Sequence, residues 1–366
     1  MNINVIMKQL NTLPMETWGF LGMNHTAIEE QVPVIAGAVT AQVPEVSRWA
    51  EGIRTDGVYT GEEIPLAVGE EAARYVAENR NAGASLTIAA NFAVPEPLVY
   101  RYQLTDEGNV VVDDNWIIAE ENSSCTVVMV YTAETAGGLH GGLTRIAAGK
   151  NAVVNLLQVQ LLGDEAVHWQ DVGVVTEEGA QVRVTQIEAG AKCAVAGCYS
   201  RLAGAKSRQD ITCFYFGDGS RRLDVNHVVQ HIAPRTMSRI GTGGALQDSC
   251  DKIYRGTIDF VAGARDAQGS ESEDTLLFSP AARNRSAPLI LCGEENVNGQ
   301  HAATIGKLDA GMLFYLNTRG ISEAQAKQMM TEARLRVALE GFAEWEIGQE
   351  LQEAVLVYMA KRMGLA

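Results

Sequence analysis

GKNAVVNLLQVQLLGDEAVHWQDVGVVTEEGAQVRVTQIEAGAKCAVAGCYSRLAGAKSRQDITCFYFGDG, residues 149–219, decides how this chain folds. Short runs rich in Val, Ile, Thr and Leu are cut by small turns at Gly149-Lys150, Gly163-Asp164, Gly179-Ala180, Gly190-Ala191-Lys192, Gly204-Ala205-Lys206 and Gly217-Asp218-Gly219. Successive first glycines are 14, 16, 11, 14 and 13 residues apart. Runs of that length hold one strand each, and no long amphipathic helix interrupts them. A loose repeat sustained this far predicts a β-solenoid, in which each strand stacks on its counterpart in the preceding coil and alternate apolar residues fill the tube. A large sandwich would use similar strands, but Asn-Gly and Asp-Gly hairpin signals are few.

The texture extends upstream to about residue 85 through LTIAANF, NVVVDD and CTVVMVYTA, and downstream to about 315. Three regions follow: a mixed or helical N-terminal segment over 1–84, a β-helix core over 85–315 and a helical region over 316–366. In the first, GEEAARYVAENRNAG predicts a helix near 69–81, with acids in its first turn and Gly83 closing it. In the last, Ser322-Glu323-Ala324-Gln325 is a capping box opening a helix to about Leu339. A second helix is expected from about Glu344 to Met363, with Ile347, Leu351, Val355 and Tyr358 on one face. That stripe requires a partner surface, either the end of the solenoid or another protein.

Composition narrows the function. The 366 residues carry 29 basic and 45 acidic side chains, a net charge of −16, with no Lys/Arg-rich run, which disfavours nucleic acid and anionic lipid as partners. The opening MNINVIMKQLNTLPMETW lacks the order of a signal peptide, and no stretch approaches the ~18 apolar residues of a membrane span, so a cytoplasmic protein is expected. The six cysteines (125, 193, 198, 213, 250, 292) form no C-x-x-C. Cys193 and Cys198, five apart, would face opposite sides of a strand. Each cysteine reads as a small buried hydrophobe, Cys292 included.

Enzyme signatures are missing. AAGKN at 147–151 lacks the upstream glycine and the Ser or Thr of a P-loop. GGLHGG at 137–142, with His140, reads as a flexible turn rather than a phosphate cradle. His227 and His231 would be ~13 Å apart along a strand, too far to share an ion, and read as solenoid residues on one strand face. A solenoid enzyme acting on polysaccharide would need clustered charges along one sheet, which are not evident. His301 differs from the other histidines, because Gly299, Ala302, Ala303 and Gly306 are too small to surround its ring. An imidazole so placed is suited to face something outside its own fold.

Three stretches carry a resemblance: DITCFYFGDGSRRLDVNHVVQHIAPRTMSRI, YRGTIDFVAGARDAQGSESEDTLLFS and QHAATIGKLDAGMLFYLNTRGIS, within residues 210–339. In order and spacing they resemble the SufB/SufD family of iron–sulfur cluster assembly proteins, and LPMETWGFLGMN is similar to the start of short SufD-type members. The resemblance implies a right-handed parallel β-helix flanked by N-terminal and C-terminal helical segments. It also implies a non-catalytic subunit that binds no ATP itself, holds a SufC-type ABC ATPase at its C-terminal helices and pairs through the β-helix with a SufB-type paralogue. Tyr315, Arg319, Gly320 and Ile321 fall in that SufC-contacting region. A transient iron–sulfur cluster would form at the subunit interface, and a reduced flavin is also allowed.

By the same resemblance the chain is SufD-like at His301, where SufB has glutamate, and His301 becomes the candidate interfacial ligand. The essential SufB cysteine is replaced by Ala282. The sulfur-accepting cysteine of SufB would fall near Ser200, with Cys198 two residues away, and the cysteine often found two residues before the SufD histidine is Gly299. Cys198 and Cys292 are thus weaker ligand candidates. The alternative is a self-sufficient, SufB-like scaffold that forms a homodimer and works with SufC alone.

Overall fold

The computed structural model describes residues 1–17, 19–307 and 309–365; Trp18 of the LPMETWGFLGMN stretch and Leu308 of the KLDAG stretch lie outside the described residues. The chain begins with an antiparallel hairpin, β1 (Asn2–Leu10) and β2 (Thr26–Pro33), followed by the short β3 (Thr40–Gln42) and β4 (Ile53–Arg54), helix α1 (Glu70–Asn79) and β5 (Ser85–Ile88). Then come β6 (Leu98–Leu104), β7 (Val110–Ala119), β8 (Ser124–Ala133), β9 (Gly137–Ala148), β10 (Val153–Leu161), β11 (Glu165–Thr176), β12 (Gln181–Glu188) and β13 (Cys193–Leu202). The solenoid continues as β14 (Arg208–Gly217), β15 (Arg222–His231), β16 (Met237–Leu246), β17 (Asp251–Phe260), β18 (Ala267–Leu277), β19 (Arg283–Cys292) and β20 (Val297–Lys307). Helices α2 (Ala310–Thr318), α3 (Glu323–Leu339) and α4 (Glu346–Arg362) close the chain.

Successive strands from β5 onward alternate between two sheets. One runs β20-β18-β16-β14-β12-β10-β8-β6-β3 and the other β19-β17-β15-β13-β11-β9-β7-β5-β4, parallel throughout except at β3 and β4. This is a parallel β-helix of about 8 turns, the fold expected from the turn spacing. One coil takes two strands, so the 11–16-residue glycine intervals are half-coils. The full coil shows in the backbone: Asn91, Asn122, Asn151, Gly179, Lys206, Arg235 and Asp266 occupy the same corner, each with φ between 55° and 68°. Left-handed backbone costs least at Gly, Asn and Asp. Three of these asparagines also ladder side chain to side chain, Asn151 donating to Asn122 (3.1 Å) and Asn122 to Asn91 (3.0 Å).

Each outer sheet face is partly covered. The β1–β2 hairpin and α1 bury Val5, Leu10, Ile28 and Ala72 against Trp169, Val167 and Val195 of the second sheet. The N-terminal flank is therefore mixed, with the hairpin over 2–33 and, among the described residues, a single α-helix at 70–79, inside the predicted span. Helices α3 and α4 cover Leu157, Val159, Phe214 and Phe216 of the first sheet. The apolar stripe of α4 (Ile347, Leu351, Val355, with Met359 completing it) is buried there, and Tyr358 donates to the Leu162 carbonyl (3.4 Å). Ser322 and Gln325 form the predicted capping box of α3. Among the described residues no helix is long and apolar enough to cross a membrane.

Candidate functional site at the open last coil

Strand alternation splits residues between the tube interior and the outside, and the motif Tyr254-Arg255-Gly256 shows what each position does. Arg255 points outward and is fully buried under the N-terminal segment. It donates to the Met23 carbonyl (2.5 Å) and pairs with Asp224, which also accepts from Asn11 (2.7 Å). Tyr254 and Gly256 point inward. A Cβ on Gly256 would come within 2.1 Å of Glu271 Oε1 and 2.6 Å of the Tyr254 hydroxyl, so glycine clears the space that the carboxylate occupies.

Several interior positions near this end are polar. Lys252, fully buried, pairs with Glu273 and donates to Asn284 Oδ1 (3.0 Å). Thr275 donates to Glu273 (3.1 Å) and lies 2.6 Å from the Tyr215 hydroxyl. Burial lowers the Lys252 ammonium, opposed by the Glu273 charge. Burial also raises Glu271 to about 7. Its Oε2 has no hydrogen-bond partner, and the Tyr254 hydroxyl lies beside it without a well-formed bond. His227 and His231 are held neutral by burial, lowered to about 3 and about 4. They share the inward face of β15, and their contacts are Gln186 for His227, and Thr236 and Ser238 for His231.

A second polar cluster lies in earlier coils. Asp113, His140, His168 and Glu188 form a fully buried chain: His140 Nε2 is 2.9 Å from Asp113 Oδ2, His140 Nδ1 is 2.6 Å from His168 Nδ1, and His168 Nε2 is 3.4 Å from Glu188 Oε2. Gln160 and Gln170 donate to Glu188. This corrects the reading of GGLHGG as a flexible turn. Those residues open β9, because small residues there admit the Trp169 ring, which lies 2.2 Å from where a Cβ on Gly141 would stand. The missed signal was a period-2 row of polar residues (Asp113, Asn115; Glu271, Glu273) within strand-forming runs.

His301 lies on β20, opposite Glu271 of β18, and Ala303 lies opposite Glu273. Gly299 on the same strand face looks onto Phe260 and Ile290 of the core, so His301 shares the inward row. No coil follows, and the residue is exposed. Cys292 ends β19 in register with Phe260 and is likewise exposed, not the core thiol expected, because among the described residues nothing closes over the last coil. Cys198 is sealed inside the tube on β13, its thiol pushed up to about 12 by burial, 3.7 Å from the Ser200 hydroxyl. Cys193 faces the opposite side, beneath the hairpin. The structure thus brings His301 and Cys292 to one end of the tube and leaves Cys198 three strands away. Among the described residues no three His, Cys, Asp or Glu converge to hold a metal ion.

The C-terminal motif reads as a helix stop and start. Gly320 takes φ +80°, and the N–H groups of Gly320 and Ile321 bond back to Asn317 and Leu316 before Ser322 caps α3. Arg319 lies over the Tyr315 ring (5.3 Å), and α2 leaves Phe314 71% and Tyr315 56% exposed.

Fold and site together define a parallel β-helix protein with partly covered outer faces, polar clusters within an apolar interior and an unclosed final coil. The profile of the SUF system FeS cluster assembly SufBD core domain matches residues 102–334, and the chain belongs to the SufBD family. SufD of Bacillus subtilis is 24% identical over 268 residues, covering 68% of this chain and 58% of that protein. SufBD family proteins of Staphylococcus saprophyticus and Staphylococcus haemolyticus are each 24% identical over 250 residues, covering 68% of this chain and 54% of theirs. The chain spans little more than half the length of these curated relatives.

Proposed function

We propose that this chain is a SufD-like, non-catalytic subunit of an iron–sulfur cluster assembly complex. Its last coil meets a second SufBD-type chain, and His301 offers a ring nitrogen to iron of the nascent cluster across that junction. The observation that carries this is the exposed imidazole on the inward row of a coil whose two strands, β19 and β20, each have a free outer edge. Unpaired edge N–H and C=O groups are ready to continue both sheets into another molecule. Imidazole suits iron, and Cys292 on the same open coil offers a softer donor. Exposed Phe314 and Tyr315 on α2, with Arg319, Gly320 and Ile321 beside them, form the surface for an ABC-type ATPase of the SufC kind. The chain would work without ATP of its own.

Anaerobic co-expression with a SufC-type ATPase, with and without a SufB-type paralogue, tests this. Co-purification with the ATPase and visible cluster absorbance that falls in His301→Ala, while the complex stays intact, is the expected result. Unchanged absorbance in that variant would remove His301 from the site. Cluster retained by a complex of this chain and the ATPase alone would make the second SufBD-type chain another copy of itself.

A further inference from the structure

Beneath the open coil one buried carboxylate oxygen makes no well-formed hydrogen bond, and the Tyr254 hydroxyl beside that carboxylate is itself unbonded. Glu271 is 5% exposed and its Oε2 is unbonded, whereas its strand neighbour Glu273 is engaged by Lys252 and Thr275. Leaving a buried acceptor unsatisfied costs about 1–3 kcal/mol, and more for a charge. The bare Gly256 shows that the fold makes room for this carboxylate. On the far side of β18 only β20 pairs with it. The β20 residues opposite Glu271, Glu273 and Thr275 are His301, Ala303 and Ile305. In that row His301 alone has a side chain able to donate, and paired strands are ~4.8 Å apart, within reach of a glutamate and an imidazole.

We propose that Glu271 is the positioning residue for His301: its free Oε2 accepts one imidazole N–H, fixing the tautomer and leaving the other ring nitrogen's lone pair at the mouth of the coil. This rests on the reading of His301 as an iron ligand and adds the group that would orient it. A ligating histidine whose second nitrogen is held by a carboxylate is both better aimed and more basic, and loss of such a carboxylate lowers metal affinity about 10–100-fold.

The test uses the full chain free of cluster, with Co²⁺ as probe. Nitrogen-15 shifts of His301, assigned by their loss in His301→Ala, should report one dominant tautomer in the wild type. Glu271→Met, which removes the acceptor, should scramble that tautomer and weaken anaerobic Co²⁺ binding about 10–100-fold. Glu271→Gln, which keeps a neutral acceptor, should return the wild-type tautomer with a smaller affinity loss. Wild-type tautomer and affinity in Glu271→Met overturn the proposal; should that variant not fold, undiminished Co²⁺ affinity in Glu271→Gln does so. Co²⁺ binding unaffected by His301→Ala would instead defeat the ligand reading, while the tautomer measurement still decides whether the pair exists.

Discussion

The closed coils and the last coil of this solenoid treat the same side chain in opposite ways. His140, His168, His227 and His231 all point into the tube and are fully buried with polar partners, whereas His301 points the same way and is exposed. The strands are alike; what differs is whether another coil stacks above. A coil that is covered makes an inward histidine part of the core. The uncovered one keeps it available and strands Glu271 Oε2 below it.

The comparison can be broken most sharply at His140. Replacing it with alanine leaves the Asp113 carboxylate buried without its imidazole, and equilibrium unfolding should show a loss of about 3–5 kcal/mol. A loss similar to that of a surface substitution would mean the closed coils do not depend on the Asp113–His140–His168–Glu188 chain.

Acid should separate the two regions next. His227 and His231 stay neutral when folded, down to about 3 and about 4, while the unfolded chain protonates near pH 6.5. Their stability contribution is therefore intact above ~6.5 and declines as pH falls, by up to about 2 kcal/mol per histidine between pH 7 and pH 5. Glu271 and Asp171, raised to about 7 and about 6, oppose this trend because they bind protons in the folded state first. The clean measurement is the difference between wild type and His227→Gln, which should narrow on acidification. A constant difference from pH 7 to pH 5 would contradict a neutral buried imidazole.

A smaller effect is expected where the N-terminal segment is pinned. Asp171 accepts from the N–H groups of Ala67 (3.0 Å), Val68 (2.8 Å) and Gly69 (3.3 Å), just before α1. Asp171→Ala should cost about 1–3 kcal/mol and speed amide exchange at 67–69, leaving exchange in β19 and β20 unchanged. Smallest of all, His301→Ala should change stability by less than about 0.5 kcal/mol, as for an exposed residue. A thermal shift matching that of His140→Ala would erase the contrast between the regions.

Much of this was legible in the sequence. The half-coil glycine spacing, the capping box at Ser322 and the face opposition of Cys193 and Cys198 depend on local geometry, which a few residues specify. The site was only partly legible. His301 stood out through its small neighbours, but Cys292 looked like any apolar-strand cysteine, and GGLHGG looked like a turn because nothing local announces Trp169 packing over Gly141. Glu271 and Glu273 were hidden in an acidic, serine-rich run whose inward phase depends on register with β16 and β20.

The chain itself determined that short strands would stack as coils, since turn residues, β-branched runs and caps act over a few positions. Only the tertiary structure decided which coil is last in the stack and which charged side chains turn inward there. Those depend on contacts between residues about one coil apart, and burial, the quantity that separates a core histidine from an available one, is a property of the stack and not of any strand within it.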